Sequence, residues 1–419
     1  MEKKVWILNH YAGTPSITSG LRHYCLAKYL IREGYQTTVF AASTIHNTER
    51  NLITDNHKYI TDNSEGVPFV YIKTRNYKGN GLKRILNMFD YYRGLFKVTK
   101  KFEKPDIIFA SSVHPLTLVA GQKIAKKLGV PCICEVRDLW PESFVAYGIM
   151  KKSNPTLNLL YMAEKWIYKK ADKLVFTMEG GKDYIIEKGW NKENGGPIGL
   201  DKVYHLNNGV DLEDFANNKE NYVLNDGDLE DDGIFKVVYT GSIRLTNNID
   251  ILVEAAKKIW LLGEHKIKFI IYGDGDLLQE LISRTKSENI SNIIFKGRVN
   301  KKYIPYILSK SNLNILDIYN SDLFRFGISP NKLFDYLASG KPILSGLVCN
   351  YDIIEQNQCG TTLKVISAEE VANKVIEYSH MNKLELAQLE NNALLSAEKY
   401  DFSNLTNKLI RIMENEVVI

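Results

Sequence analysis

KVVYTGSIRLTNNIDILVEAAKKIWLLGEHKIKFIIYGDG, residues 236 to 275, changes its period twice. Lys236–Thr240 is a short apolar run leading into Gly241-Ser242, and about 248–262 reads as a helix. Phe269–Tyr272 is a second strand, closed by the tight turn Gly273-Asp274-Gly275. Short apolar strands that alternate with helices of this length indicate βαβ units and a parallel sheet. Downstream the plan repeats, with strands at Ile293–Phe295 and Leu313–Leu316 and helices between them. A helix at Pro330–Ser339 is stopped by Gly340 and followed by the strand Pro342–Ser345.

Upstream the same alternation begins at residue 5. Val5–Asn9 ends in a Gly/Ser/Thr-rich loop, Gly13 to Gly20, and residues 21–33 have helical spacing up to a stop at Gly34. Thr37–Ala41, Phe69–Ile72, Ile107–Ala110, Cys132–Val136 and Leu174–Thr177 read as strands, with a helix at 115–128 ended by Gly129. The fold class is therefore α/β, with two Rossmann-like parallel-sheet domains. Their ligands are expected beyond the carboxyl ends of the strands. The boundaries read as 1–210 for the first domain, 211–233 for an acidic, Asn-rich linker and 234–400 for the second domain. Residues 401–419 read as a C-terminal helix returning to the first.

The 419-residue length suits two domains, and 44% apolar residues give each a core. Residues 1–200 carry 30 Lys+Arg against 18 Asp+Glu, while the remainder is acidic. A basic half joined to an acidic half suggests two kinds of partner, or uneven solvated charge. The five Cys are scattered without a zinc spacing and read as reduced thiols of a cytoplasmic protein. The N-terminus does not read as a signal peptide, and no apolar run approaches a spanning helix.

Three segments carry candidate chemistry. The loop Gly13–Gly20 precedes a helix, whose free N–H groups suit a phosphate; G-x-G-x-x-G is absent, which argues against NAD. EVRDLWPES, 135–143, puts Arg137, Asp138 and Glu142 at a strand's carboxyl end. Arg137 suits a phosphate or carboxylate, and Asp138 suits a sugar hydroxyl whose proton it accepts or orients. SPNKLFDYLASGKPIL, 329–344, puts Asn331, Lys332 and Asp335 near the first turns of a helix. A cation there holds a diphosphate, and a carboxylate one turn on suits a ribose diol. The competing reading of each segment is an ordinary surface loop, a structural Arg–Asp pair or a capped amphipathic helix. His10 and His114 stand out among the histidines because both sit at strand ends. No metal spacing is evident. Gly81 to Lys101 reads as a basic helix with interleaved apolar residues, suited either to an anionic membrane surface or to packing on its own sheet.

These motifs, with NHYAG at 9–13, KGNGLKR at 78–84, SSVHPLT at 111–117 and NNGVDLEDF at 207–215, occur in an order that resembles a known family. The chain is similar, nearly end to end, to the family-4 retaining glycosyltransferases of GT-B fold. Within them it resembles the O-antigen and capsular polysaccharide branch with L-fucosaminyltransferase-like members. The resemblance implies two Rossmann-like domains facing a central cleft, with domain closure excluding water. It implies transfer, with retention, of a sugar such as an N-acetylated amino sugar from a nucleoside diphosphate, UDP being the favoured carrier. The acceptor would be a polyprenyl-diphosphate-linked saccharide at the inner face of the cell membrane. No metal, cofactor or nucleic acid is implied. On the donor side stand Gly241, Ser242, Arg244, Gly273, Arg298, Asn331, Lys332 and Asp335. Asp138, Arg137 and His114 form the catalytic set, and His10, Gly20, Arg22 and Glu142 lie on the acceptor side. The sequence departs from the family where Gly327 replaces the first of two Glu, and where Ser242 and Asn247 replace an Arg and a Lys. A GT-B nucleotide-sugar 2-epimerase and a non-catalytic GT-B subunit are the alternatives.

Overall fold

The computed structural model describes residues 2–46, 48–79, 81–316 and 319–415, with Thr246 by its backbone alone. Asn80 of KGNGLKR and residues 416–419 of the last segment thus lie outside the described residues. The chain forms two compact units: residues 1–207 with 402–419, and residues 208–401.

The first unit runs β1 (Lys4–Leu8), α1 (Arg22–Arg32), β2 (Gln36–Ala42), β3 (Tyr59–Asp62), β4 (Phe69–Ile72), α2 (Leu82–Val98), β5 (Ile107–Ser111) and α3 (Pro115–Leu128). It continues with β6 (Cys132–Val136), α4 (Trp140–Ala146), α5 (Pro155–Lys170), β7 (Lys173–Phe176), α6 (Gly181–Glu187) and β8 (Val203–His205). The strands lie in the order β3-β4-β2-β1-β5-β6-β7-β8, all pairs parallel except β3 with β4. β1, β5 and β6 are nearly all apolar because helices cover both sheet faces. One face packs on α1; the other carries α2, α3 and α5. β3 and β8 were not foreseen, since YITD and VYH lack an apolar run.

The second unit runs α7 (Leu212–Asn221), α8 (Gly227–Glu230), β9 (Phe235–Ser242), α9 (Asp250–Leu261), β10 (Ile267–Asp274), α10 (Leu278–Ser287), β11 (Ile293–Gly297) and α11 (Ile304–Ser309). Then come β12 (Leu313–Ile315), α12 (Asn331–Ala338), β13 (Ile343–Ser345), α13 (Ile353–Gln356), β14 (Gly360–Thr362), α14 (Ala368–His380) and α15 (Lys383–Lys399). Its sheet is parallel throughout, in the order β11-β10-β9-β12-β13-β14. The chain ends with α16 (Phe402–Glu414), whose Leu405, Leu409 and Ile412 are buried in the first unit's core.

The stretch 211–233, read from its composition as a linker, is a folded part of the second unit. Asp226 and Asp228 pair with Lys296 at 2.7 and 2.5 Å, and Asp228 also with Lys268 at 2.9 Å. The buried Leu229 anchors the segment. Part of its acidity, at Asp226 and Asp228, is thus matched by lysines on β10 and β11.

Candidate functional site

In each sheet the strand order reverses beside the first strand, between β1 and β5 in one unit and between β9 and β12 in the other. Crevices beyond such points are where α/β sheets bind ligands. At the first reversal His10 follows β1 and His114 follows β5, with Nδ1 of His10 2.6 Å from Nε2 of His114. Both rings are buried, and His10 stacks on Tyr91. Burial, then His114, holds the His10 pKa well below its ordinary value; burial, then Arg84, lowers His114 to about 3. The pair is therefore neutral near pH 7. One imidazole donates to the other, so whichever tautomers are present, one buried N–H and one buried lone pair remain at Nε2 of His10 and Nδ1 of His114. Both atoms are closed off from solvent, and Asn87 lies beside His10. Arg84 Nε donates to the Tyr11 hydroxyl at 3.0 Å, and the Tyr11 ring stacks on His46 at 4.1 Å. Arg84, Tyr11 and His46 were not singled out as site residues, although Arg84 and Tyr11 lie in the quoted KGNGLKR and NHYAG motifs.

The next strand end carries Glu135, Arg137 and Asp138. Arg22 donates to Glu135 Oε1 from Nε at 2.9 Å and Nη2 at 2.6 Å, and also to the carbonyls of Leu206 and Asn207. Ser111 Oγ donates to the second Glu135 oxygen at 2.6 Å. Burial pushes the Glu135 carboxyl up, but Arg22, with His23 and Arg137, pulls it down further, to well below the ordinary range. Arg22 was expected on the acceptor side. Instead it is 3% exposed and braces α1 against β6. Glu142, expected beside it, is likewise buried and internal, accepting from Tyr161 Oη and Lys188 Nζ.

Arg137 is fixed through its backbone, its N–H on Ser112 Oγ at 3.1 Å. Its neighbour Asp138 keeps solvent-accessible surface at a recessed position; desolvation raises its pKa and Arg137 opposes the rise. A carboxylate beside an arginine at a strand end suits a sugar hydroxyl. Gly20 stands exposed before α1. In the same loop Ser16 already donates to the Glu65 carboxylate at 2.5 Å, which makes an anion there less favourable.

At the second unit's reversal β9 ends in Gly241-Ser242. Lys332 reaches this end from α12, its Nζ 3.0 Å from Tyr239 Oη and 4.5 Å above the Tyr239 ring centroid. The Tyr239 hydroxyl in turn donates to the Ser242 carbonyl at 2.9 Å. Gly273 pairs in register with Gly241, and a Cβ there would fall 1.8 Å from the Gly241 carbonyl oxygen. The missing side chains let two strand ends and a lysine converge. Asp335 lies one turn beyond Lys332, with Lys301 4.0 Å away; burial raises its pKa and Lys301 opposes. The fold thus gathers Gly241, Ser242, Gly273 and Lys332, with Asp335 one turn away. Asn331, Arg244 and Arg298 stand exposed at α12's start and just past β9 and β11. Gly327, where the family carries a Glu, has φ +88°, a conformation side-chain-bearing residues rarely adopt. The loop after it is held by Asn208, whose N–H donates to Ser329 Oγ at 2.8 Å and whose side-chain amide donates to the Ser329 carbonyl at 2.6 Å. Tyr239 and Asn208 were not foreseen, because neither contact is local in sequence. Among the described residues no group of three or more His, Cys, Asp or Glu is arranged to hold a metal ion.

Comparison with known proteins agrees with this geometry. Residues 23–214 match the family model described as Glycosyltransferase Family 4, and residues 226–395 that described as Glycosyl transferases group 1. The chain is 23% identical over 273 residues to the probable glycosyltransferase WbjE of Pseudomonas aeruginosa, covering 65% of each chain. It is 24% identical over 191 residues to the O-antigen biosynthesis glycosyltransferase WclY of Escherichia coli, covering 45% of this chain and 48% of that one. These matches span less than two thirds of the length of either relative. Among solved structures, Anabaena HepE in complex with UDP and glucose superposes with a TM-score of 0.66 at 15% identity, over 99% of this chain and 100% of that one. At that identity the likeness shows the fold, which is GT-B.

Proposed function

We propose that this protein, whose residues 23–214 match Glycosyltransferase Family 4 and whose residues 226–395 match the glycosyl transferases of group 1, transfers a sugar from a nucleoside diphosphate to a hydroxyl of a lipid-linked saccharide. The observation that carries the reading is Lys332, held by Tyr239 over the glycine turn where β9 ends. In the reaction the bond between the anomeric carbon and the diphosphate oxygen breaks. A bond from that carbon to the acceptor oxygen forms, and the acceptor hydroxyl gives up its proton. Negative charge builds on the leaving diphosphate, and preorganised cations and N–H groups are the largest source of stabilisation for such charge. We assign that role to Lys332 and the Ser242 backbone, with Arg244 and Arg298 contributing from the same sheet edge. Asp335 holds the ribose. On the first unit Asp138, Arg137 and His114 orient the acceptor.

A UDP-linked donor is the reading we favour, since HepE, of the same fold, binds UDP and glucose. The name of WclY supports a role in O-antigen or related surface polysaccharide synthesis, capsule included. Retention of configuration, an N-acetylated amino sugar as donor, independence of metal and a place at the inner face of the cell membrane complete the proposal.

Incubation with a panel of nucleotide sugars, with and without a polyprenyl-diphosphate saccharide and in the presence of a chelator, tests it. Release of the nucleoside diphosphate only when acceptor is present, with sugar appearing on the lipid, is the expected result. Conversion of the donor without acceptor would replace the reading with a 2-epimerase. Binding without turnover for every acceptor would replace it with a non-catalytic subunit.

A further inference from the structure

We infer that the layer formed by α2, α3 and α5 docks the first unit onto an anionic lipid bilayer. The sequence singled out residues 81–101 alone; the structure adds two helices and changes which residues matter. α3 packs against both α2 and α5, so the three helices form one layer on the sheet. On α2 the exposed apolar residues are Leu82, Ile85 and Phe89, at 70%, 48% and 40% of full exposure. On α5 they are Leu159, Met162 and Trp166, at 64%, 67% and 44%. Each triplet has the spacing i, i+3, i+7, so it forms one stripe along its helix. The loop between α4 and α5 adds exposed Tyr147 and Ile149.

The charge of the layer identifies the partner. α3, between the two stripes, exposes Lys123, Lys126 and Lys127. Lys83, Arg93 and Lys97 are exposed on α2, and Lys169 and Lys170 on α5. The layer's only acidic residues are Asp90 and Glu164. Asp90 is paired with Arg75 at 2.6 Å, and Glu164 is buried, accepting from Tyr168 and Tyr184. No exposed position of the three helices carries an acid. Narrow apolar stripes separated by rows of lysine are poorly suited to a protein interface, whose centre is depleted of charge. They suit a bilayer surface, where the apolar side chains enter below the headgroups and the lysines remain among the lipid phosphates. No helix among the described residues is long and apolar enough to cross the membrane, so the contact is interfacial.

The inference rests on the membrane placement in the proposed function, and is tested without donor or acceptor so that its failure is separate from failure of the transferase reading. Flotation with phosphatidylcholine vesicles, with and without phosphatidylglycerol, is measured for the full chain and two surface variants. One carries Leu159→Ser, Met162→Ser and Trp166→Ser; the other carries Lys123→Glu, Lys126→Glu and Lys127→Glu. The full chain is expected to float only with the anionic vesicles. The charge-reversal variant is expected to bind at least about a hundredfold more weakly at low salt, since each basic residue near the surface contributes about fivefold. The serine variant is expected to bind more weakly in both low and high salt. Thermal unfolding at the wild-type temperature establishes that both variants are folded. No binding by the full chain, or equal binding by all three proteins, would overturn the inference. So would a self-association that the serine variant abolishes while vesicle binding persists, which would give the layer to a second copy of the chain.

Discussion

The ammonium of Lys332 lies 3.0 Å from the hydroxyl of Tyr239 and over the face of its ring, so the cation is positioned before any ligand arrives. The same hydroxyl donates to the Ser242 carbonyl, which ties the lysine to the turn after β9. Preorganisation of this kind lowers the ordering cost of binding.

Lys332→Ala is accordingly expected to weaken nucleotide-sugar binding by about ten- to a hundredfold, the range for a lost charge-assisted hydrogen bond. Tyr239→Phe keeps the ring beneath the ammonium and removes only the hydroxyl, so a smaller loss is expected. Calorimetric titration with the donor measures both. An unchanged affinity for the alanine variant would remove Lys332 from the donor site.

Gly273→Ala places a methyl 1.8 Å from the Gly241 carbonyl oxygen, and neither backbone segment can retreat without breaking the β9–β10 register. A loss of about 1–3 kcal/mol of stability is expected from this overpacking. Urea unfolding checks it. Gly327→Glu, which restores the family residue, is expected to cost about 1–2 kcal/mol because φ is +88° there.

Arg22→Ala leaves Glu135 buried without its main partner, and a stability loss of about 3–5 kcal/mol is expected. Arg137→Ala is expected to change acceptor turnover far more than stability. Paired unfolding and rate measurements separate the two arginines. The opposite pattern would exchange their roles.

Stability is expected to fall as the solution is acidified. His23 is lowered to about 4 by burial, against the pull of Glu135, His114 is lowered to about 3, and His10 lies well below its ordinary value. The native state keeps these rings neutral while the unfolded chain takes up protons below about pH 6.5, so stability present above that pH is lost as pH falls. Glu164 acts in the opposite sense. Burial raises it to about 7, against hydrogen bonds from Tyr184 and Tyr168. Its contribution is complete below the ordinary carboxyl range and is lost as pH rises through about 7. His205, lowered to about 3 by burial, adds to the loss, and a net loss of about 3–4 kcal/mol between about pH 7.5 and about pH 5.5 follows. Glu164→Gln should make the loss steeper in urea unfolding at the two pH values.

The motifs were legible where chemistry follows chain order. VWIL before NHYAG and KVVYT before Gly241 announce a buried strand and its loop, and Pro330 with Gly340 brackets α12. Gly273 and Lys332 were legible as candidates because each sits at the end of a strand or helix that periodicity alone locates. The bracing role of Arg22 was not legible because its position, opening the first helix, is the same for a ligand contact and for a brace. Only Glu135, 113 residues away, decides between them. The acidic stretch at 211–233 was misread for a related reason, since composition records charge but not the lysines that neutralise it.

By itself the amino-acid order determined the parallel cores of two sheets and the strand ends that carry functional groups, because periodicity and glycine placement act within a few residues. Tertiary structure alone decided which of those groups meet: His10 with His114, Lys332 with Tyr239, and Arg22 with Glu135. Those pairings arise from strand order, which brings distant segments within hydrogen-bonding distance, and from burial, which sets the charge each group carries there.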